Sequence, residues 1–330
     1  VSGVDEADLV KTDGNYIYKV NQAKVIIIKA KPAEQMQVVS RINFANDFRA
    51  QELHLYGNYL VAIGTSSFSP PARLRSMNKM KANIYPPPHY NLKKTKAIVY
   101  NIENRNQPEK IREVELDGRY LSSRRINSSL YLVSNKPINY YQLEDDSMLL
   151  PSYRDTASGS EIKRVGCENI RYFPDKIYPA YIMIAGFDIE KPEKAADIQT
   201  YLGNGENIYT STKNLYVAVS GYQQMPVVIQ EQFNGVAPEI GQTFIYKFAL
   251  SNGQVYYTGK GAVPGTILNQ FSMDEHQNYF RIATTSGDIW RNDRNTSQNN
   301  VYIMDKDLTI TGKLENIAPG EKIYATRFMG

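Results

Sequence analysis

Three carboxylates stand close together near the start of the chain, in the stretch VSGVDEADLV. Asp5, Glu6 and Asp8 supply the oxygen ligands that a hard cation such as Ca²⁺ prefers. The stretch lacks the spacing and the closing Glu of an EF-hand loop, and it also lacks a glycine-rich calcium repeat. Two interpretations therefore stand, a Ca²⁺ site and acidic residues that cap strand ends, and we favour the second.

Histidines and acids give weak support for catalysis. No pair among His54, His89 and His276 has the HExxH spacing of a zinc site. Distant residues could still assemble a Ser-His-Asp triad, although the GxSxG motif is missing. Asp274 and Glu275 could serve a glycosidase, but a hairpin turn explains both. We name no catalytic residue, and the sequence favours a protein that is not an enzyme.

A basic stretch and a single tryptophan are the candidates for ligand binding. Residues 68–95 contain six Lys or Arg and no Asp or Glu, a charge pattern that attracts an anionic polymer or an acidic protein. The alternative is that this stretch packs against the acidic stretch 138–178. Trp290 could stack on a sugar ring or fill the base of a loop. The candidate ligand-binding residues are Arg73, Arg75, Lys79, Lys81, Tyr85, His89 and Trp290.

Composition limits the classes of function that remain. The formal net charge is +4 over 330 residues, without an arginine-rich block, so we expect no nucleic-acid partner. A single cysteine excludes an intrachain disulfide and a multi-thiolate metal site. The apolar runs are shorter than the ~20 residues of a membrane helix, so no membrane-spanning segment is expected. No signal peptide is visible at Val1, and the start within the pattern VSGVDEAD suggests that upstream sequence was removed or never cloned.

A repeated pattern of turns and strands predicts the framework that positions these residues. Turn residues precede an apolar run at five places, in TDGNYIYKV, LYGNYLVAI, NSSLYLVS, TKNLYVAVS and EHQNYFRIA. Two further strand-like runs follow each of them. Units of four strands and about 40–45 residues are typical of β-propeller blades. A β-sandwich, the alternative, would not repeat this order of strands.

The repeat predicts an all-β chain, a single β-propeller domain over residues 1–330 built from four-stranded antiparallel blades. The predicted blades cover about 9–44, 49–118, 119–204, 206–263 and 266–316, and the first strand of a sixth lies in 321–330. We therefore expect an incomplete ring. The longest insertions separate the second and third strands of a unit, and insertions on one face of a repeat array usually mark its binding face.

Several stretches resemble a known family. GVDEADLVKTDGNYIY, ILNQFSMDEHQNYFRIATT and NNVYIMDKDLTITGKLENIAPGEKIYATRFMG are similar to secreted bacterial and archaeal proteins with a C-terminal β-propeller domain, distantly related to WD40 repeats. The resemblance extends along the whole chain. It implies a propeller fold and a secreted or cell-surface location, and it implies no established reaction.

The expected function is an extracytoplasmic β-propeller that binds or scaffolds a protein or polymer through loops on one face. Two alternatives stay open. One is an extracellular hydrolase or lyase acting on polysaccharide or peptide, and the other is a structural propeller stabilised by a cation. Ca²⁺ is the one cofactor that the sequence brings into consideration.

Overall fold

The computed structural model describes residues 2–68, 92–138, 149–173, 178–223, 240–293 and 295–329. The described chain consists of β-strands joined by turns and short 3-10 segments. Its contacts divide it into two units. The N-terminal unit contains residues 2–204 together with 252–255, and the C-terminal unit contains residues 205–251 and the described residues from 256 onward.

The N-terminal unit contains three sheets. Its strands are β1 (Asp5–Glu6), β2 (Val10–Thr12), β3 (Tyr16–Asn21), β4 (Lys24–Lys29), β5 (Gln37–Asn43), β6 (Phe48–Tyr56), β7 (Tyr59–Phe68), β8 (Leu92–Asn101), β9 (Glu109–Asp117), β10 (Arg119–Ile126), β11 (Ser129–Pro137), β12 (Ser152–Asp155), β13 (Lys163–Arg164), β14 (Ile170–Tyr172), β15 (Ala180–Asp188) and β16 (Asp197–Leu202). The first sheet has the order β2-β3-β4-β5, the second β13-β12-β9-β8-β7-β6 and the third β1-β10-β11-β15-β16-β14.

The C-terminal unit contains two sheets of four strands each. Its strands are β17 (Asn207–Thr210), β18 (Asn214–Gln223), β19 (Ile240–Ser251), β20 (Gln254–Pro264), β21 (Met273–His276), β22 (Tyr279–Ser286), β23 (Gln298–Met304) and β24 (Ile310–Ile317). The fourth sheet runs β17-β18-β19-β20 and the fifth β21-β22-β23-β24. Four antiparallel strands in chain order, or that arrangement with added edge strands, thus recur in all five sheets, which confirms the predicted fold class.

Left-handed residues form the tight turns between the first two strands of several sheets. Gly57 has φ +54° between β6 and β7, and Asn127 has φ +50° between β10 and β11. Asn278 adopts φ +67° between β21 and β22. Gly has no Cβ to clash at positive φ, and Asn tolerates this region better than most residues. The turn residues in the repeat therefore predict where the chain reverses.

Apolar side chains from neighbouring sheets share common cores. Tyr18 and Ile27 of the first sheet pack in one buried cluster with Leu53 and Leu60 of the second. A second cluster joins side chains of the second and third sheets, and a third joins the fourth and fifth. Each fully buried aliphatic or aromatic side chain stabilises the fold by about 1.5–3 kcal/mol relative to exposure. Because successive side chains of a strand point to opposite faces of its sheet, one strand can contribute to the cores on both sides.

A tyrosine occupies the third position of β3, β11 and β18, and its hydroxyl forms a hydrogen bond with another segment of the chain. The hydroxyl of Tyr131 on β11 accepts a bond from Gly253 N at 3.3 Å. Tyr216 on β18 donates to Glu275 Oε2 at 2.7 Å. The equivalent Tyr18 on β3 donates to Asp13 Oδ2 at 2.9 Å, and burial raises the pKa of Tyr18 to about 12. A tyrosine can thus fill a core with its ring and still satisfy a polar group at the rim, which accounts for part of the high tyrosine content.

Gly64 on β7 is required by the close approach of β6. A Cβ at this position would overlap the backbone of Arg49 and Ala50. Because backbone atoms cannot move aside like a flexible side chain, Gly64→Ala should destabilise the protein by about 1–3 kcal/mol. Gly312→Ala is the matched control, since its nearest neighbour would be the Ile303 side chain at 3.6 Å. Denaturant titration of both variants checks this, and equal unfolding midpoints would contradict it.

The stretch 138–178, which lies between β11 and β15, adds edge strands to the second and third sheets. Strand β12 pairs antiparallel with β9, and β14 pairs parallel with β16. An outer strand presents unpaired N–H and C=O groups, and added strands satisfy them. The stretch 138–178, predicted to be a loop of the binding face, therefore serves in its described part as edge strands.

A buried ion pair fixes this insertion. Arg112 Nε lies 3.0 Å from Asp155 Oδ1, and Arg112 Nη2 lies 2.8 Å from Oδ2. The guanidinium also lies over the Phe187 ring, 4.7 Å from its centroid. Asp155 in turn accepts bonds from the backbone N–H groups of Ala157 and Ala196. The carboxylate of Asp155 therefore accepts four hydrogen bonds, from three residues.

The segment after β24 differs from the prediction. Residues 321–329 form no strand, whereas the repeat phase places the first strand of a sixth blade there. The repeat phase makes EKIYATRF a candidate strand, but a strand forms only beside a hydrogen-bonding neighbour. The segment instead contacts side chains of the fifth sheet, through Ile323 N to Thr285 Oγ1 at 3.2 Å and Phe328 over Arg281.

No helix in the described part of the chain is long and apolar enough to cross a membrane.

Candidate functional site

The acidic residues at the start of the chain are surrounded by cations. Asp5 pairs with Arg125 across β1 and β10. Its Oδ1 lies 2.7 Å from Lys11 Nζ, and its Oδ2 lies 3.0 Å from His54 Nδ1 and 3.2 Å from Arg125 Nη2. Burial opposes the charge of Asp5, but the hydrogen bonds from His54 and Lys11 outweigh it and hold the pKa of Asp5 well below its usual range. Asp5 therefore attaches β1 to the third sheet.

The other two acids have separate partners. Glu6 Oε1 lies 3.3 Å from Arg124 Nη2, and Asp8 bonds through its backbone to Leu53. No group of three His, Cys, Asp or Glu side chains that could hold a metal ion occurs in the described ranges. The Ca²⁺ site at Asp5, Glu6 and Asp8 stays a prediction, and the ion pairs support the strand-capping interpretation.

An Asp-His-Ser chain does form, from residues far apart in sequence. Asp5 contacts His54 Nδ1, and His54 Nε2 lies 2.9 Å from Ser123 Oγ. The hydroxyl of Tyr120, which donates to Glu52 Oε2 at 2.6 Å, lies 2.9 Å from the same Oγ. Both His54 and Ser123 have 0% exposure, so a substrate cannot reach the serine. These hydrogen bonds therefore connect β1, β6 and β10. Ser123 lacks the access to substrate that a nucleophile needs.

The hydrogen-bonded series Asp5–His54–Ser123 predicts that the folded protein loses stability in acid. Burial lowers the pKa of His54, so the unfolded protein takes up this proton at higher pH than the folded one, and stability falls as pH drops below about 6.5. Asp5, whose folded pKa is also lowered, adds a loss below about pH 4. The unfolding midpoint should therefore decrease from pH 7 to pH 5, and less steeply in His54→Asn. His276→Asn is the control, and equal slopes in all three proteins would contradict the assignment.

Six of the seven residues predicted to bind a ligand lie outside the described residues. They are Arg73, Arg75, Lys79, Lys81, Tyr85 and His89. That these residues attract an anionic partner therefore stays a prediction.

Trp290 occupies the loop between β22 and β23 and faces solvent. Its side chain is 78% exposed, and the neighbouring Ile289 is also exposed. Backbone bonds close the base of the loop, from Asp288 N to Asn295 O at 2.9 Å and from Ser297 N to Asp288 O at 3.0 Å. The described loop is thus internally bonded while its large aromatic side chain remains in water.

An ion pair beside the indole braces the loop further. Arg291 Nε lies 3.0 Å from Asp293 Oδ1, and Nη2 lies 2.5 Å from Oδ2. Thr296 Oγ1 is within 3.0 Å of the carbonyl of Arg291 and 2.6 Å of that of Asp293. These bonds restrict the backbone on the C-terminal side of Trp290.

Three segments meet at Thr285, at the end of β22 that carries this loop. Thr285 bridges to Thr266 in the connection before β21, and it accepts a bond from Ile323 N in the segment after β24. These segments expose two more aromatic rings, Phe271 at 61% and Tyr324 at 75%. We call residues 265–272, 285–293, 295–298 and 318–324 the loop-end surface. Trp290 was predicted from the sequence, whereas the other two rings were missed because one lies in an interblade connection and the other in a predicted strand.

Two archaeal relatives, both uncharacterised proteins, match 100% of this chain. The relative from Methanocaldococcus jannaschii is 30% identical over 382 residues, and the one from Archaeoglobus fulgidus is 24% identical over 388 residues. The chain spans 56% and 57% of the lengths of these relatives.

Two solved structures show a distant likeness to this chain. The N-terminal domain of Nup159 has a TM-score of 0.28 at 8% identity, covering 97% of this chain and 77% of that one. The WD40 domain of SCAP from fission yeast has a TM-score of 0.30 at 8% identity, covering 98% and 78%. The family model described as a beta propeller domain matches residues 1–330, and the chain therefore belongs to the β-propeller domain family.

Proposed function

We propose that the protein is an extracytoplasmic β-propeller binding protein that takes its ligand on the loop-end surface of the fifth sheet. The observation that carries this proposal is Trp290, which is 78% exposed on an internally hydrogen-bonded loop. Tryptophan is highly buried on average in folded proteins. A large indole left in water on a braced loop therefore has the properties of an anchor that becomes buried when a partner binds.

The braces around Trp290 support the proposal. A loop that must become ordered on binding loses affinity to the entropy of ordering, and a loop held beforehand avoids that loss. The Arg291–Asp293 pair and the bonds of Thr296 hold the backbone beside the indole. Because Trp290 packs on little of its own chain, these bonds position the ring without covering it.

The proposed location rests on the resemblance to secreted proteins. The single cysteine is compatible with an exported protein but does not require one. The basic stretch 68–95 is a second proposed contact, suited to anionic polymers. An enzymatic role receives no support from the Asp5–His54–Ser123 chain, because the serine is buried.

Site-specific photocrosslinking tests the proposal. Replacing Trp290 by the photoreactive p-benzoylphenylalanine should give covalent adducts with extracellular or surface components of the source cell. The same replacement at Tyr172, 64% exposed on β14 of the N-terminal unit, is the matched control and should give few. Adducts of equal yield at both positions, or none at position 290, would contradict a binding role for the loop-end surface.

A further inference from the structure

We infer that the ligand of the loop-end surface is a neutral polysaccharide, with Trp290 as the platform for a sugar ring. This inference rests on the proposed binding function and specifies its ligand. It follows from the chemistry around the indole, from the charge of the loop and from the number of exposed aromatic rings.

The residues next to Trp290 in sequence are mostly polar. Asn292 and the Arg291–Asp293 pair lie on its C-terminal side, and Asp288 lies two residues before it. An indole that anchors a protein interface normally sits in a patch whose core is apolar and poor in charge. Within the loop Ile289 is the apolar neighbour and the remaining positions from 288 to 293 are polar, while Leu268 on the adjoining segment is a further exposed apolar side chain. The surroundings therefore fit a ligand that combines an apolar face with many hydroxyls.

A pyranose ring has that combination. Its C–H face packs on an aromatic ring, and its hydroxyls both donate and accept hydrogen bonds. The ion pair uses Nε and Nη2 of Arg291, so Nη1 can donate to a ligand hydroxyl. The Asn292 amide offers a donor and an acceptor in one plane. The loop thus supplies both kinds of contact at adjacent positions.

The charge of the loop favours a neutral sugar over an acidic one. Residues 287–298 contain two acids, Asp288 and Asp293, and two bases, Arg291 and Arg294, so their charges cancel. Long-range attraction of an anionic chain requires an excess of positive charge, which this loop lacks. The basic stretch 68–95 and the Trp290 loop would therefore select different ligands.

Additional rings at the same end of the sheet indicate a polymer. Phe271 and Tyr324 belong to the two segments that meet the Trp290 loop at Thr285, and both are more exposed than buried. One stacked ring binds weakly, and several contacts along one chain raise the overall affinity by effective concentration. We therefore expect a polysaccharide to bind more tightly than its monosaccharide.

Affinity electrophoresis in native gels provides the test. The probes are hydroxyethyl cellulose, xylan, mannan and starch, each cast into the gel. At least one should retard the wild-type protein. For that probe, Trp290→Ala should raise the Kd at least tenfold, and Tyr324→Ala should raise it less. Tyr172→Ala, which removes a ring that is 64% exposed from the N-terminal unit, should migrate like wild type. Circular dichroism confirms that each variant is folded.

Two results would overturn the inference, namely no retardation by any probe, or equal retardation of wild type and Trp290→Ala. The first result combined with specific crosslinking of a protein at position 290 would refute the sugar ligand and leave the binding surface standing. Failure of both experiments would refute the sugar ligand and the proposed function together.

Discussion

Asp155→Ala is expected to destabilise the protein by about 3–5 kcal/mol, because it leaves the buried guanidinium of Arg112 without its counter-ion. The pair has 0% and 1% side-chain exposure, so water cannot replace the lost carboxylate. The remaining acceptors of Arg112 are the carbonyl oxygens of Asp188 and Lys191, at 3.4 and 3.3 Å, and these are neutral. The unfolding free energy from urea titration measures the effect.

Two controls separate the ion pair from general damage. The double variant Arg112→Met/Asp155→Leu should recover much of the lost stability, because apolar residues of similar size often replace a buried pair at little cost. Asp307→Ala breaks an exposed pair with Lys306 and should leave the unfolding midpoint unchanged. If Asp155→Ala and Asp307→Ala unfold at the same denaturant concentration, the ion pair does not fix the insertion.

Trp290→Ala should weaken ligand binding at least tenfold, about 1.4 kcal/mol or more, and leave the unfolding free energy unchanged. The two effects separate because the indole is mostly exposed, so its removal opens no cavity in the folded protein. Calorimetric titration with the crosslinked partner or with the retarding polysaccharide measures the affinity.

Trp290→Phe is the conservative variant and should retain part of the affinity, since a smaller ring still offers a stacking face. Tyr172→Ala should bind like wild type. An unchanged affinity in Trp290→Ala would show that the ligand, if any, binds elsewhere on the protein.

Local patterns were sufficient to predict the architecture. Turn residues such as Gly57 and Asn127 lie where the strands reverse, and the short apolar runs that follow them predict the strands of each sheet. Both patterns involve residues that are close in sequence, so they can be detected in one amino-acid sequence. Trp290 was a candidate from the sequence, but whether its ring is exposed or fills the base of the loop was decided only by the structure, which leaves it 78% exposed.

Long-range pairing could not be predicted in the same way. Strand β14 has three residues and is stable only because β16 offers an edge, and no local pattern marks such a short strand. The contacts of His54 join residues 49 and 69 positions apart, so they depend on the register of several strands. The segment 321–329 shows the reverse error, since a strand-like sequence does not form a strand without a hydrogen-bonding partner.

The fluorescence of Trp290 tests the central claim most directly, because it is the one tryptophan in the chain. In the free protein its emission maximum should lie close to that of tryptophan in water, and acrylamide should quench it readily. Saturation with the ligand that crosslinks at position 290 or retards the protein should shift the emission to shorter wavelength and reduce quenching. An emission that stays unshifted and fully quenchable at saturation would contradict binding at the loop-end surface.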